Sequence, residues 1–290
     1  MNKLALGTAQ FGLNYGVANQ SGKIKFSITK DIIHLAKEQN IDLLDTAIAY
    51  GESEKIIGKI GISDFKIVSK LPAIPKECSN TESWINNEIN NCLKRLQTNS
   101  IYGLLIHQTK NLLDKKGEII IKVLNKLKSQ GLIKKLGVSI YNPIELDHVL
   151  KMMEIDIVQA PLNIIDTRLE TSGWLHKLHK NGIEVHTRST FLQGLLLMPR
   201  IKIPSKFNRW SKIWDCWTQE LKKNNLNAAS VCLSYPLSLP EVSRVIIGVD
   251  NLNQLKSLIS ASNINLEKKD WSFMKSLDLK LINPSNWKDL

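Results

Sequence analysis

Eight short apolar runs recur along the chain, each followed by a stretch with helical periodicity, and this alternation limits the fold more than any other feature. The runs cover 3–7, 41–45 (IDLLD), 66–70 (KIVSK), 102–107 (YGLLIH), 134–139 (KKLGVS), 156–160 (DIVQA), 183–187 (IEVHT) and 244–248 (RVIIG). Strands this apolar suit burial on both faces, as in a parallel sheet. Eight strand–helix units in succession are the repeat of an α/β (β/α)8 TIM barrel. The 290 residues are enough for one such barrel, and no Pro/Gly/Ser-rich stretch or long charge block divides them. A single domain over 1–290 is therefore expected.

The helical stretches carry their own punctuation. SITKDIIHLAKEQN starts at Ser27 and puts Ile32, Ile33, Leu35 and Ala36 on one side. In YNPIELDHVLKMM, Asn142 is placed to cap a helix with Pro143 at its first position. KGEIIIKVLNKLKSQG runs to Gly131, a residue that ends helices well. One connection, FLQGLLLMPRIKIPSKFN, is long for a compact barrel, which marks it as a cover for a bound ligand. Trp210, Trp214 and Trp217 follow at helical spacing and read as packing residues.

Several function classes are disfavoured at once. The net charge of +12 comes from dispersed lysines with only short doublets such as Lys115-Lys116, whereas a nucleic-acid surface clusters charge and interleaves aromatics. Attraction for anionic small ligands is the better reading, and no nucleic-acid partner is expected. No apolar run approaches the roughly 18 residues of a spanning helix, and MNKLALGTAQFG lacks the core of a signal peptide, so no membrane role is expected. Cys78, Cys92, Cys216 and Cys232 are scattered without a CxxC pair, as in a reduced cytoplasmic protein. There is no GxG, GxSxG or HExxH. His176 and His179 lack a third ligand pattern, so a solvated helix face is preferred to a metal site.

Four residues stand at or just beyond the ends of three successive strands: Asp45 and Tyr50 after the second, Lys70 closing the third, His107 closing the fourth. The ends of barrel strands are where catalytic groups gather. Reduction of a carbonyl needs hydride at carbon and a proton at oxygen. No side chain gives hydride, so a nicotinamide or flavin must. Tyr50 is a candidate proton donor, although a free phenol with a pKa of about 10 is reluctant. An ammonium at Lys70 would ease that proton off, Asp45 would hold the lysine, and His107 would hydrogen-bond the carbonyl oxygen. Singly, each residue has an ordinary structural explanation; jointly they point to catalysis.

These motifs resemble those of the aldo-keto reductase superfamily along the whole chain. Asp45–Tyr50 is similar to its DxxxxY motif, and Lys70 and His107 match its strand-ending lysine and histidine. The resemblance implies a barrel that binds NAD(P)H across its C-terminal rim. The segments LGTAQFG, GVSIYN and VQAPLN resemble family cofactor segments. They imply cofactor contacts at Gly7 and Thr8, at Ser139, and at Gln159 and Asn163. Ile140 stands where many members have Asn. HTRSTFLQGLL is similar to the segment carrying the aromatic that stacks on nicotinamide, which puts Arg188 in that place, followed by Ser189. A guanidinium can stack on a ring or contact substrate or pyrophosphate.

RVIIGVDNLNQLKSL resembles the adenosine-phosphate segment, implying contacts from Gly248, Asp250, Asn251 and Gln254. The lysine or arginine that often clamps a 2′-phosphate is missing from these positions, and Asp250 favours a free ribose hydroxyl. Family habit and the basic surface lean instead to NADPH, with NADH the other choice. The first strand lies at the start of the chain, without the hairpin that closes the barrel bottom in many members. LGTAQFGLNYGVANQSGKI resembles a bacterial subgroup found with polysaccharide and deoxysugar genes, which implies a sugar-derived carbonyl as substrate. The rival reading is a reductase-like barrel that senses nicotinamide or docks on a partner. Oligomeric state is left open.

Overall fold

A computed structural model of the chain describes residues 2–264, 266 and 269–290. Eight parallel strands close into a barrel in chain order: β1 (Leu4–Gly7), β2 (Leu43–Asp45), β3 (Lys66–Leu71), β4 (Ile101–Ile106), β5 (Ile133–Ser139), β6 (Ile157–Pro161), β7 (Glu184–Arg188) and β8 (Arg244–Ile247). β8 returns to β1 through the register Ala5 to Ile246. All eight expected strands are present, with ends shifted by at most two residues. His107 lies one residue beyond β4, with its backbone N–H bound to Leu71 O at 3.0 Å.

Two apolar layers hold the barrel. Ala5, Leu43, Val68, Leu105, Ile157 and Ile246 pack together as one small cluster of strand residues. A far larger set packs the helices onto the strands, including Ile32, Ile33 and Ala36 of the helix Phe26–Glu38. Burial of this kind, at about 25 cal/mol per Å2 of apolar surface, is the main stabilising contribution. The tryptophans pack as expected: Trp210, Trp214 and Trp217 are buried, and their indole N–H groups donate to Asp278 Oδ2, Phe207 O and Leu196 O.

At the start of the strands, a polar group closes the barrel bottom. Glu184 Oε1 accepts from Tyr102 Oη at 2.6 Å and Lys135 Nζ at 2.5 Å, while His186 Nε2 lies 3.1 Å from Oε2. Lys66 and Lys135 both sit over the Tyr102 ring.

Gly131, at φ +75°, follows the helix Gly117–Ser129 in the left-handed conformation that favours glycine. The regular helix runs from Glu145 to Met152, and the expected cap precedes it, with Asn142 Oδ1 accepting from Ile144 N–H at 3.3 Å. The Glu145 carboxylate reaches back to accept from the backbone N–H groups of Tyr141 and Asn142, so these residues form a tight turn before the helix. The long connection after β7 folds into short 3-10 turns from Leu195 to Trp210 and leads into the helix Ser211–Lys223. Its start is conformationally costly: Ser189, Leu192 and Gln193 all have positive φ. It packs against the loop after β1, where Ala18 N donates to Gln193 O at 3.4 Å. No helix among the described residues is long and apolar enough to cross a membrane.

Candidate functional site

The strand ends converge on a cavity of about 680 Å3. Asp45 and Lys70, from adjacent strands, form its most buried ion pair, with side chains 7% and 1% exposed. Lys70 Nζ donates to both carboxylate oxygens of Asp45 and to Thr46 O, each at 2.8 Å. An ammonium has three N–H groups, so Lys70 is saturated. Burial lowers its pKa, and the Asp45 carboxylate works against that.

Tyr50 lies in the turn between β2 and the helix Ser53–Ile60, and its ring sits 5.1 Å from Lys70 Nζ. The turn is held from beneath. A Cβ on Gly12 would come within 1.8 Å of Tyr50 O, so only glycine lets the two loops approach this closely. The Tyr50 hydroxyl makes no hydrogen bond among the described residues. Burial and the Asp45 carboxylate push its pKa up strongly, while the Arg188 guanidinium pulls it down. The His107 ring meets Tyr50 edge-on, with centroids 6.3 Å apart. Burial, with Lys70 and Arg188 nearby, lowers the imidazole pKa to about 4, so the ring is neutral near pH 7.

The expected cofactor residues divide into three groups. Gly7, Thr8, Gln159, Arg188, Ser189, Gly248, Asp250, Asn251 and Gln254 line the cavity together with Asp45 and Tyr50. Ser139 is buried at the end of β5, paired in register with Gln159. Asn163 is buried outside the cavity lining. Its Nδ2 donates to Ser189 O and its Oδ1 accepts from Ile165 and Asp166, so it braces the loop that begins at Ser189. Gln159 Nε2 donates to Asp45 Oδ1 at 2.7 Å, adding a third hydrogen bond to that carboxylate. Thr8 Oγ1 donates to Asp45 O at 3.0 Å and accepts from Ser53 Oγ at 2.8 Å.

Arg188 is not free to swing. Its Nη2 donates to Ile140 O at 2.9 Å, its Nη1 lies 3.4 Å from Ser189 Oγ, and its Cζ stands 4.3 Å above the Tyr141 ring. Asp250, also in the lining, has its Oδ1 sealed from solvent and without a hydrogen-bond donor among the described residues. Burial raises its pKa. Sequence reading did not single out Gln10, Tyr15 or Lys202, which also line the cavity, although Lys202 lies in the connection expected to cover a ligand. Nothing in their local spacing distinguishes them, because loops distant in the chain bring them together. Among the described residues no cluster of metal-ligating side chains occurs, and His176 is exposed.

An extended dinucleotide fits this arrangement. The cavity lining includes Asp45 and Tyr50, the amide of Gln159 and the hydroxyls of Thr8 and Ser189, together with Asp250, Ser257 and Leu258.

Comparison with known proteins gives the same answer. The model of the Aldo/keto reductase family matches residues 3–279. The chain is 25% identical to the NADH-specific methylglyoxal reductase of Escherichia coli, over 96% of this chain and 94% of that protein. It is 22% identical to the 6-dehydroglucose reductase of Agrobacterium fabrum, over 80% and 82% of the two chains. Among solved structures, the holo form of an aldo-keto reductase from Bacillus halodurans superposes with a TM-score of 0.73 at 20% identity, covering 92% of this chain and 88% of that one. A glycerol dehydrogenase from Gluconobacter oxydans gives 0.72 at 22% identity, covering 98% and 93%. With the match running through all eight strands and the tetrad, the chain belongs to the aldo/keto reductase family, and with it to the NAD(P)H-dependent oxidoreductases.

Proposed function

We propose that the chain reduces a small aldehyde or ketone at the Asp45–Tyr50–Lys70–His107 site, with NADH held along the cavity and Tyr50 as the proton donor. One observation carries this reading: Tyr50 alone of the four offers an acidic O–H that no group among the described residues accepts, and it lines the cavity. As the carbonyl oxygen gains negative charge it becomes a far stronger base than a phenolate. A phenol whose pKa lies above 10 then still gives up its proton downhill. Lys70, saturated by Asp45 and Thr46, fixes the floor of the site under the Tyr50 ring. His107, neutral at working pH, keeps an N–H with which to orient the carbonyl oxygen toward Tyr50.

Ser139 and Gln159 are suited to a carboxamide, and Gly7, Thr8, Ser189, Gly248, Asn251 and Gln254 to the rest of the dinucleotide. Once bound, the nicotinamide supplies the hydride. Asp250, a carboxylate in the cavity lining, favours NADH over NADPH despite the basic surface, because it can accept from a ribose hydroxyl and repels a phosphate. The NADH-specific E. coli relative points the same way. Two relatives named for small carbonyls, one of them sugar-derived, support a sugar-derived carbonyl as the first substrate class to try. The intact tetrad speaks against a purely sensing or docking barrel.

Tyr50→Phe tests the assignment. Turnover should fall about 10²- to 10⁴-fold while NADH affinity stays near wild type. Undiminished turnover in that variant would remove Tyr50 as the acid.

A further inference from the structure

Burying a charge without a counter-charge is costly, so partly buried arginines normally face carboxylates. Four of the six arginines here do: Arg95 pairs with Glu54, Arg168 with Asp166, Arg200 with Asp215 and Arg244 with Asp42. Arg209 is exposed. Arg188 is the exception. It is partly buried, it lines the cavity, and it makes no ion pair among the described residues. Its protein partners are an uncharged carbonyl, a distant hydroxyl and a ring face, which engage only two of its five N–H groups.

The neighbours of Arg188 leave its charge uncancelled. Asp45 is committed to Lys70 through both oxygens and to Gln159. His107 is neutral near pH 7, and the Tyr15 and Tyr50 phenols are held protonated by burial. With Asp45 and Lys70 cancelling, the catalytic end of the cavity carries one net positive charge. The ring of Tyr141 and the carbonyl of Ile140 hold the guanidinium in place, so it is preorganised to receive a ligand.

Resting on the reading that this site reduces a carbonyl, we propose that Arg188 receives an anionic group, a carboxylate or phosphate ester, borne by the carbonyl substrate. A planar fork of N–H donors matches either oxyanion.

The test uses substrates that differ in charge alone: 4-carboxybenzaldehyde against methyl 4-formylbenzoate, and glyceraldehyde 3-phosphate against glyceraldehyde. The wild type should prefer the anionic member of at least one pair. Arg188→Gln should lower kcat/KM for that member by about 10- to 100-fold, mainly through KM, since hydrogen bonds to charged groups are of that strength. The neutral member should lose several-fold less, its loss reflecting the pull of Arg188 on the Tyr50 phenol, so the preference for the anionic member should shrink. Arg188→Lys, which keeps the charge without the fork, should fall between. The pair that responds tells carboxylate from phosphate. Equal losses on charged and neutral substrates, or weakened NADH binding without a change in charge preference, would overturn the proposal. A wild type that reduces the neutral substrates without favouring the charged ones overturns it and leaves carbonyl reduction standing. A wild type that binds NADH yet reduces none of the four overturns both.

Discussion

The barrel carries a lysine–carboxylate pair at each mouth, and what surrounds the two pairs differs. At the bottom, Glu184 has both oxygens engaged, by Tyr102, Lys135 and His186, and the Tyr102 ring lies under two lysines. Burial pushes the Glu184 carboxyl up in pKa, but these hydrogen bonds outweigh it and hold the group well below the usual range. At the top, Asp45 and Lys70 satisfy each other, yet among the described residues the Tyr50 hydroxyl and most of the Arg188 N–H groups lack partners. At the bottom the pair sits in a plug of mutually bonded groups, in which the buried Nδ1 of His186 alone has no partner among the described residues. At the top the pair lies beside a cavity whose lining includes Tyr50 and Arg188, the arrangement on which the proposed reaction rests.

The largest expected difference between the mouths comes from breaking each pair. Lys70→Met strands Asp45, whose burial leaves no solvent to compensate. It should cost about 3–5 kcal/mol of stability and lower turnover by more than about 100-fold, read by denaturant unfolding and steady-state rates. Glu184→Gln should cost less, about 2 kcal/mol, because the pair it breaks is partly solvated. Its turnover per folded molecule should match wild type. A large rate loss in that variant would erase the distinction between the mouths.

Much of this was legible in the sequence, and the limits have physical causes. Strand periodicity and the tetrad spacing are local signals, so the barrel and Asp45, Tyr50, Lys70 and His107 could be read directly. The bottom plug could not, because Tyr102, Lys135 and Glu184 come from three strands and meet only through closure. The cap at Asn142 was legible from its own residue type, whereas the return bond from Glu145 to the Asn142 N–H was not singled out. Gly12 looks like any loop glycine until its contact with Tyr50 is seen. The saturation of Lys70 was equally hidden, since it depends on Thr46 O as well as Asp45.

A smaller effect should appear in the pH dependence of stability. The folded-state pKa of His107, about 4, lies below the ordinary 6.5. Below 6.5 the unfolded chain binds a proton that the folded site refuses, so stability should fall from about pH 6.5 toward pH 4 and gain nothing from this group above pH 6.5. His107→Gln should flatten that interval in thermal unfolding curves, and an unchanged slope would show that the imidazole titrates normally. The smallest effect belongs to Tyr50→Phe, whose lost hydroxyl has no partner among the described residues. Its Tm should stay within about 1 °C of wild type, whereas a drop of several degrees would reveal a structural bond at that oxygen.

The most direct test of the central claim is a parallel fluorescence titration of the purified protein with NADH and NADPH, for wild type and Asp250→Asn. If the upper mouth is a nicotinamide site with Asp250 in its lining, NADH binds more tightly than NADPH and the substitution narrows the gap. If neither nucleotide binds, the unsatisfied groups around Asp45 and Lys70 do not serve redox chemistry and the account is wrong.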